Sequence, residues 1–170
     1  MSTNNLVGQI VTLKILDKSY FQDYANMFSE TVKKFLHVQD SESEVKYLEN
    51  RLENKSFFYC IFLNGQLDAQ EKLTESKLVG AIEIRDLSES DGQLYSWVNE
   101  NYWGSGAYQE ALELISKKYF DVNPGCKYYT ANVDTENLRS YYALKKFGFI
   151  DSGIKNGPYG MQYKLLLVNK

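Results

Sequence analysis

The 170-residue chain predicts a single mixed α/β (α+β) domain with seven strands, about four helices and the element order βααβββαβαββ. Two observations support this fold class. Period-two or continuous apolar runs alternate with stretches in which apolar residues recur at helical spacing. Turn residues separate these runs, and the chain contains no linker, internal repeat or low-complexity tract. Since 44% of the residues are hydrophobic, a chain of this length can bury one sizeable core.

The first predicted elements are one strand and two helices. Residues 9–16 alternate between two sets of side chains with period two, which predicts a strand. From Lys18 onward, apolar residues at the spacing of one helical face predict the first helix. A second helix is predicted over residues 41–54, because Ser41 and Glu44 form a capping box ahead of an apolar stripe.

Three strands are predicted to follow as a meander. Residues 56–63 form a nearly continuous aromatic and aliphatic run, which is typical of a strand covered on both faces. The polar residues 66–77 predict a loop. Residues 78–87 and 92–99 then predict the second and third strands, joined by a polar turn at 88–91.

The last part of the chain predicts two helices and three strands. A helix follows a glycine-rich turn and stops at Asn123-Pro124-Gly125. Residues 127–133 predict a strand, and residues 137–147 predict a helix that ends at Gly148, where a left-handed residue is needed. The remaining predicted elements are two strands at 149–154 and 161–168, joined by a turn at 155–160.

Charge and cysteine usage exclude several classes of protein. The net charge of -3 and the pI of about 5.3 argue against nucleic-acid binding, which depends on Lys and Arg neutralising phosphates, and are compatible with a cationic amine substrate. Cys60 and Cys126 are far apart and lack the paired spacing of a zinc site, so we expect reduced thiols and no metal. Without a leader-like N-terminus or a run of about eighteen apolar residues, we expect a soluble cytoplasmic protein with no membrane partner.

A glycine-rich turn between a strand and a helix is the strongest chemical signal. Gly104 and Gly106 precede a helix, whose first backbone N–H groups and positive dipole end attract phosphate. No Lys-Ser/Thr pair follows, and no three-glycine fingerprint opens a βαβ unit, so a nucleoside-triphosphate loop and a dinucleotide fold are both excluded. The turn therefore binds a different diphosphate, or it serves only tight packing.

The turn Asn101-Tyr102-Trp103-Gly104-Ser105-Gly106 resembles the Gln/Arg-x-x-Gly-x-Gly/Ala turn of the GNAT superfamily of N-acetyltransferases, with Asn101 in place of Gln or Arg. Four further blocks are similar to the subgroup that acetylates N-termini of ribosomal proteins (RimJ/RimL-type): Trp97-Val98-Asn99, Glu110-Ala111-Leu112, Asn137-x-x-Ser140 and Lys146-Phe147-Gly148-Phe149. With the element order, the resemblance covers almost the whole chain and is most specific over residues 93–153.

The resemblance implies a fold and a reaction. The fold is a mostly antiparallel seven-stranded sheet in which strands 92–99 and 127–133 run parallel and splay apart to admit pantetheine. The reaction is transfer of acetyl from acetyl-CoA, without a metal, to a primary amine that attacks directly in a ternary complex. The implied acceptor is a protein N-terminal α-amine, a small amine or a polyamine. A homodimer is compatible with the resemblance, but no residue pattern fixes an interface.

The resemblance also implies the residues that bind the coenzyme. Backbone groups of Trp97 to Asn99 pair with the pantetheine arm, and the N–H groups near Val98 stabilise the oxyanion. The full implied set is Trp97, Val98, Asn99, Trp103, Gly104, Ser105, Gly106, Ala107, Tyr108, Asn137 and Ser140. For Asn137, capping of the helix is an alternative or additional role.

Proton transfer is harder to assign. Many GNAT enzymes carry a tyrosine seven residues after the motif asparagine, where this chain has Leu144. The subgroup implies Ser140 as the donor to the leaving thiolate, with Tyr141 or Tyr142 as alternatives. We expect the tyrosines to pack in the core, and Ser140 either donates the proton or only caps and solvates the helix start.

Candidate bases are Glu83 on a predicted strand and Tyr95 or Ser96 on the next strand. Glu83 alternates with apolar residues. The expectation that it faces solvent near Arg85 therefore ranks ahead of the catalytic role. At pH 7, deprotonation costs about 1 kcal/mol for an α-amine and about 4.6 kcal/mol for a lysine. The lack of an unmistakable base therefore leans toward an α-amine or small polyamine.

His37 is the only histidine, and a single imidazole by itself indicates neither a catalytic relay nor a metal site. It is either structural or part of the acceptor pocket, which residues 31–40 border if the resemblance holds. Two other functions stay open. The first alternative is a non-catalytic acyl-CoA sensor, and the second is an interaction module that uses exposed aromatic residues.

Overall fold

The structure is a computed structural model that describes residues 5–53, 57–66, 70, 74–86 and 92–170. These residues form eight strands and five α-helices. The strands are β1 (Leu6–Val7), β2 (Val11–Ile15), β3 (Phe57–Leu63), β4 (Lys77–Asp86), β5 (Gly92–Val98), β6 (Tyr128–Asp134), β7 (Ile150–Gly157) and β8 (Gly160–Val168). The helices are α1 (Phe21–Asn26), α2 (Glu30–Leu36), α3 (Ser41–Glu53), α4 (Ala107–Val122) and α5 (Leu138–Phe147).

The mixed α/β class and the element order are confirmed, with one extra strand and one extra helix. The extra strand, β1, is two residues long, which is too short for a period-two pattern. The extra helix, α2, lies in the segment predicted to separate the first two helices. It begins after Ser29, whose Oγ accepts from the Val32 N–H at 3.2 Å, and it ends at His37, which adopts a left-handed φ of 56°.

The chain divides into two compact units: Met1–Glu83 with Ser96–Ile115, and Ile84–Tyr95 with Ser116–Lys170. That all 170 residues form one domain stays a prediction. Six stretches used in the sequence predictions lie wholly or partly outside the described residues: the N-terminal residues 1–4, Asn54, Ser56, Leu87, the loop at 66–77 and the turn at 88–91.

In the first unit, β1, β2 and β3 pair in antiparallel order. Val11 is opposite Leu63, and Ile15 is opposite Tyr59. The apolar faces of the strands and of α1 to α3 enclose an aromatic-rich core. Its buried members include Phe21, Tyr24, Phe28, Val32, Leu48, Phe58, Cys60, Phe62, Ala81 and Trp97.

The N-terminus of α3 differs from its sequence prediction. Asp40, and not Ser41, is the capping residue, because its Oδ1 accepts from the Ser43 N–H at 2.7 Å. The hydrogen bonds from Ser43 hold the pKa of the Asp40 carboxyl below its ordinary value. The predicted capping box of Ser41 and Glu44 is therefore wrong by one residue, since aspartate is an equally good cap and precedes the serine.

In the second unit, β5 and β6 are parallel, with Gly92 to Leu94 opposite Tyr129 to Ala131. This confirms the predicted parallel pair; the splaying of the two strands stays a prediction. β6 pairs antiparallel with β8, and β8 with β7. The predicted turn at 155–160 is too long, because β7 continues to Gly157 and β8 begins at Gly160. Gly148 ends α5 with a φ of 124°, as predicted.

No helix in the described part of the chain is long and apolar enough to cross a membrane. Among the same residues, no group of three or more His, Cys, Asp or Glu side chains is arranged to hold a metal ion. Cys60 and Cys126 are free thiols, and burial raises the pKa of Cys60 to about 12.

Candidate functional site

The end of β5 directs the backbone of Val98 away from β4. The Asn99 N–H donates to the Val79 carbonyl of β4 at 2.8 Å. Because successive residues of a strand point their N–H and C=O groups to opposite edges, those of Val98 point to the other edge. The Trp103 indole Nε1 donates to the Val98 carbonyl at 2.8 Å and fixes this orientation. The Val98 N–H thus has a defined direction.

Asn99 organises the turn that follows β5. Its Oδ1 accepts from the Asn101 N–H at 3.0 Å, and its Nδ2 donates to the Met27 carbonyl at 2.6 Å. Its own carbonyl accepts from the Tyr102 N–H at 3.0 Å. With its N–H bound to Val79, every polar group of Asn99 is engaged within the protein. The geometry therefore favours a supporting role for Asn99 over direct ligand contact.

The Trp97 side chain belongs to the core of the first unit. Its indole Nε1 donates to the Tyr24 hydroxyl at 3.1 Å, and its ring lies 4.4 Å from that of Phe28. Burial is the main reason that the pKa of Tyr24 is raised well above its ordinary value. The Trp97 side chain is thus engaged in the core, and the alternation along β5 directs its backbone N–H and C=O toward β4.

The glycine-rich turn has the backbone geometry that phosphate binding requires. Gly104 and Gly106 have φ values of 78° and 85°, a left-handed conformation that L side chains rarely adopt. A Cβ built on Gly104 meets nothing within 4 Å, so an anion can approach the backbone there. The Ser105 hydroxyl donates to the Tyr102 carbonyl at 2.7 Å and accepts from the Ala107 N–H at 3.3 Å, where α4 begins. The turn therefore fits a pyrophosphate group.

The first residues of α4 face inward. Ala107 is fully buried, and the Tyr108 hydroxyl shares a hydrogen bond of 2.8 Å with the Ser96 Oγ. Burial raises the pKa of Tyr108 to about 12, although the bond to Ser96 acts in the opposite direction. Tyr108 is therefore neutral at physiological pH and engages the hydroxyl of Ser96, one of the predicted bases.

Glu83 does not face solvent, so that expectation is wrong. Its side chain is 2% exposed, accepts from the Tyr47 hydroxyl at 3.1 Å and forms an ion pair with Arg51. Tyr47 and Arg51 are four residues apart on α3 and so share one helix face. Arg51, and not Arg85, is thus the cationic partner. The guanidinium of Arg85 stacks over the Tyr95 ring at 3.9 Å.

In the second unit, Asn137 and Ser140 begin α5. The Asn137 Oδ1 accepts from the Ser140 N–H at 3.2 Å, which confirms the capping role. Ser140 is half-buried, and its hydroxyl makes no hydrogen bond to any residue that the structure describes. Leu144, at the family's tyrosine position, is buried. Ser140 thus has a hydroxyl available for chemistry.

The two alternative tyrosines differ from one another. The Tyr141 hydroxyl donates to the Asp151 Oδ2 at 2.8 Å, a bond that raises the pKa of Tyr141. Its ring lies 4.4 Å from that of Tyr163, so Tyr141 packs against a neighbouring ring, although it is half-buried and not in the core. Tyr142 is 64% exposed, and the expectation that it packs in the core is wrong.

His37 is exposed and ends α2 with a left-handed backbone, and its place in an acceptor pocket stays a prediction. Sequence reasoning missed two sets of contacts. Tyr47 and Arg51 had no role in the sequence prediction, although their helical spacing places them together. The Glu110 carboxylate binds a loop about one hundred residues away in the sequence, at Gln9 to Val11, and no local pattern signals this.

Comparisons with known proteins agree with this geometry. The family model described as an acetyltransferase (GNAT) domain matches residues 11–150. No curated protein matches the chain. Among solved structures, a GNAT-family acetyltransferase from Bacillus anthracis is 15% identical with a TM-score of 0.77, and 97% of this chain and 98% of that chain are covered.

Two further structures have informative descriptions. The ribosomal alpha-N-protein acetyltransferase RimL is 13% identical with a TM-score of 0.77, and the match covers 98% of this chain and 94% of RimL. The microcin self-immunity acetyltransferase MccE, determined with acetyl-CoA and AMP, is 16% identical with a TM-score of 0.73, and the match covers 95% and 94% of the two chains. These likenesses establish the fold.

Proposed function

The chain belongs to the GNAT acetyltransferase family, and from this premise we propose that it transfers acetyl from acetyl-CoA to a primary amine by direct attack in a ternary complex. The acceptor is a protein N-terminal α-amine, a small amine or a polyamine. The observation that carries this proposal is the turn at Gly104 and Gly106, whose left-handed backbone precedes α4 and leaves open space at Gly104.

Backbone groups of the turn bind the coenzyme pyrophosphate in this proposal. The N–H groups of Gly104, Gly106 and Tyr108 contribute at the positive end of the α4 dipole, whereas those of Trp103, Ser105 and Ala107 donate within the protein. Bound acetyl-CoA supplies an activated acetyl thioester. The Val98 backbone contacts the pantetheine arm at the strand edge that faces away from β4, while Asn99 holds the turn in place. Asn137 adds a contact to the coenzyme besides capping α5.

The Val98 N–H stabilises the oxyanion that forms on the thioester carbonyl. Trp103 supports this role, because its indole N–H donates to the Val98 carbonyl at 2.8 Å and so restrains the Val98 backbone. A restrained donor needs little reorganisation during the reaction, and one such donor contributes about 2.7–4 kcal/mol. As the donor is a backbone group, side-chain substitution of Val98 tests it poorly.

Ser140 and Glu83 handle the protons in the proposed reaction. As the amine nitrogen bonds to the carbonyl carbon, the C–S bond breaks. Ser140 passes its hydroxyl proton to the departing thiolate and regains a proton from water, and Glu83 later releases to water the proton that it receives. Glu83 receives the proton that the amine loses, directly or through water. Arg51 and Tyr47 already occupy part of the hydrogen-bonding capacity of this carboxylate. This favours an α-amine, which is partly neutral at pH 7, over a lysine side chain.

The likeness to RimL, described as an alpha-N-protein acetyltransferase, also supports an N-terminal α-amine as acceptor. A decisive screen compares three acceptors at equal concentration: a peptide with a free N-terminus, the same peptide blocked at the N-terminus but with a lysine, and a polyamine. Release of free thiol from acetyl-CoA reports turnover. Turnover of only the lysine peptide contradicts the α-amine assignment.

Thermal unfolding with and without acetyl-CoA tests the coenzyme site. At one hundred times its Kd, a ligand stabilises the native state by about 2.7 kcal/mol. For a chain of this length, this corresponds to a rise in Tm of about 5–11 °C. Gly104→Ala should abolish this shift. The matched control is Gly153→Ala in β7, where φ is 109° and a Cβ likewise meets nothing within 4 Å, so that strain is similar but the turn is intact.

The outcomes separate the three functions. An enzyme is stabilised by acetyl-CoA and consumes it with an amine. A non-catalytic sensor, which the leucine at position 144 keeps in consideration, is stabilised but consumes no thioester. A protein-interaction module shows no shift at saturating acetyl-CoA, and that result refutes the proposed function.

A further inference from the structure

The Glu110 carboxylate, in the first turn of α4, binds three consecutive backbone N–H groups from the other end of the sequence. It accepts from Gln9 at 2.9 Å and from Ile10 and Val11 at 2.7 Å each. Successive N–H groups that converge on one anion form a nest, and bonds to a charged acceptor are stronger than neutral ones. Glu110 therefore holds the loop between β1 and β2 firmly.

The same loop is fixed from its carbonyl side by Asn64 at the end of β3. The Asn64 Nδ2 donates to the carbonyls of Gly8 and Gln9 at 3.0 and 3.2 Å, and its N–H donates to the Ile10 carbonyl at 2.8 Å. A Cβ on Gly8 would lie 2.5 Å from the Glu110 carboxylate, so only glycine permits this approach. The loop is thus a rigid strap between β3 and α4.

The strap also contacts the glycine turn. The Ile10 Cδ1 lies 2.9 Å from the position of a Cβ on Gly106, and the Gly106 carbonyl accepts from the Glu110 N–H at 3.1 Å. Gly106 therefore lies between the loop that Glu110 holds and the first turn of the helix that carries Glu110. A displacement of the carboxylate would move both neighbours of Gly106.

We infer that Glu110 is a positioning residue for coenzyme binding, an inference that rests on the proposed function. Its carboxylate keeps Gly106 and the N-terminus of α4 in the conformation that receives pyrophosphate. A second effect is electrostatic. A carboxylate near the first turn of α4 would repel a diphosphate. The three N–H groups of the strap bind the Glu110 carboxylate and so reduce this repulsion.

Steady-state kinetics of Glu110→Gln test this role. Glutamine offers a single oxygen and no charge, so the nest loses bonds while the side chain keeps its size. We expect KM for acetyl-CoA to rise about tenfold, which corresponds to about 1.4 kcal/mol, while kcat and the acceptor KM change little. Gly8→Ala, which displaces the carboxylate without altering it, should give the same pattern.

The matched control is Glu113→Gln, which removes one negative charge from an exposed position of the same helix. An equal rise of the acetyl-CoA KM in Glu113→Gln and Glu110→Gln would overturn the inference, because the effect would then not depend on the hydrogen bonds from Glu110 to residues 9–11. An unchanged KM in Glu110→Gln would overturn it as well.

Amide hydrogen exchange of the ligand-free protein separates this inference from the proposed function. Glu110→Gln should accelerate exchange at residues 9–11 and also at residues 105–107, whereas acceleration confined to 9–11 refutes the coupling. This measurement needs no coenzyme. If wild-type protein fails to bind acetyl-CoA, the proposed function falls, and the exchange data still decide whether Glu110 orders the turn.

Discussion

Replacement of Glu83 by glutamine tests the buried ion pair between β4 and α3. Glu83 is 2% exposed, and the side chain of its partner Arg51 is 16% exposed. Glutamine preserves the size of the side chain and an oxygen that can accept from Tyr47. The substitution removes only the negative charge and leaves the guanidinium of Arg51 without its carboxylate.

The expected loss of stability follows from this burial. Removal of one member of a buried ion pair costs about 3–5 kcal/mol, since the other charge is left uncompensated. The residual exposure of Arg51 and the remaining bond to Tyr47 place Glu83→Gln at the low end, at about 3 kcal/mol. One kcal/mol shifts Tm by about 2–4 °C in a protein of this length, so a fall of about 6–12 °C is expected.

The assay is equilibrium unfolding in urea, followed by circular dichroism, with thermal scans in parallel. A second variant combines Glu83→Gln with Arg51→Met, which replaces the cation by an apolar side chain. We expect this double variant to regain at least half of the lost stability, because it no longer buries an unpaired charge.

Two results would refute this reasoning. The first is a Tm for Glu83→Gln within about 2 °C of wild type, the size of a surface substitution. The second is a double variant whose loss equals the sum of the single losses, since independent residues add. Activity then separates the roles of Glu83. If the double variant is stable but inactive, Glu83 takes part in proton transfer; if activity returns with stability, its role is structural.

Three other substitutions give sharp expectations. Gly80→Ala should destabilise by about 3 kcal/mol or more in thermal unfolding, because its Cβ would lie 2.2 Å from the Trp97 carbonyl oxygen; an unchanged Tm contradicts this. Asn137→Ala should cost about 1 kcal/mol through loss of the α5 cap, whereas Asn137→Asp keeps the cap and should raise the acetyl-CoA KM only if the amide contacts coenzyme. Burial raises the pKa of the Cys60 thiol from 9.0 to about 12, so its contribution to stability is full below pH 9 and is lost as pH rises through 12. The urea midpoint of Cys60→Ala should therefore fall less steeply than that of wild type between pH 9 and pH 12. Parallel curves for the two proteins would show that the thiol does not cause this loss of stability.

Most of the fold could be predicted from local patterns. Helical spacing predicts α3, α4 and α5, and the apolar run predicts β3, because each pattern reflects which faces of one element are buried. The errors fall where the local signal is weak. β1 is two residues long, and α2 is only seven residues long. The start of a helix is also ambiguous where two neighbouring residues can both serve as the N-cap, as at the start of α3.

The candidate site was predicted less evenly. The glycine turn is a local motif, since glycine is the residue that most readily permits the left-handed φ values seen at Gly104 and Gly106. The cap at Asn137 is local as well. The orientation of the Val98 N–H depends on the hydrogen bond from Asn99 to β4, and sequence alone does not give that register.

The sequence by itself therefore determined the element order, the glycine turn, the family resemblance and the set of residues worth testing. Only the tertiary structure decided that Glu83 pairs with Arg51 and that Glu110 holds the loop at residues 9–11. The physical reason is range. Periodicity, capping and turn conformation arise from neighbours within a few residues, whereas a buried carboxylate takes its partner from whichever distant element packs against it.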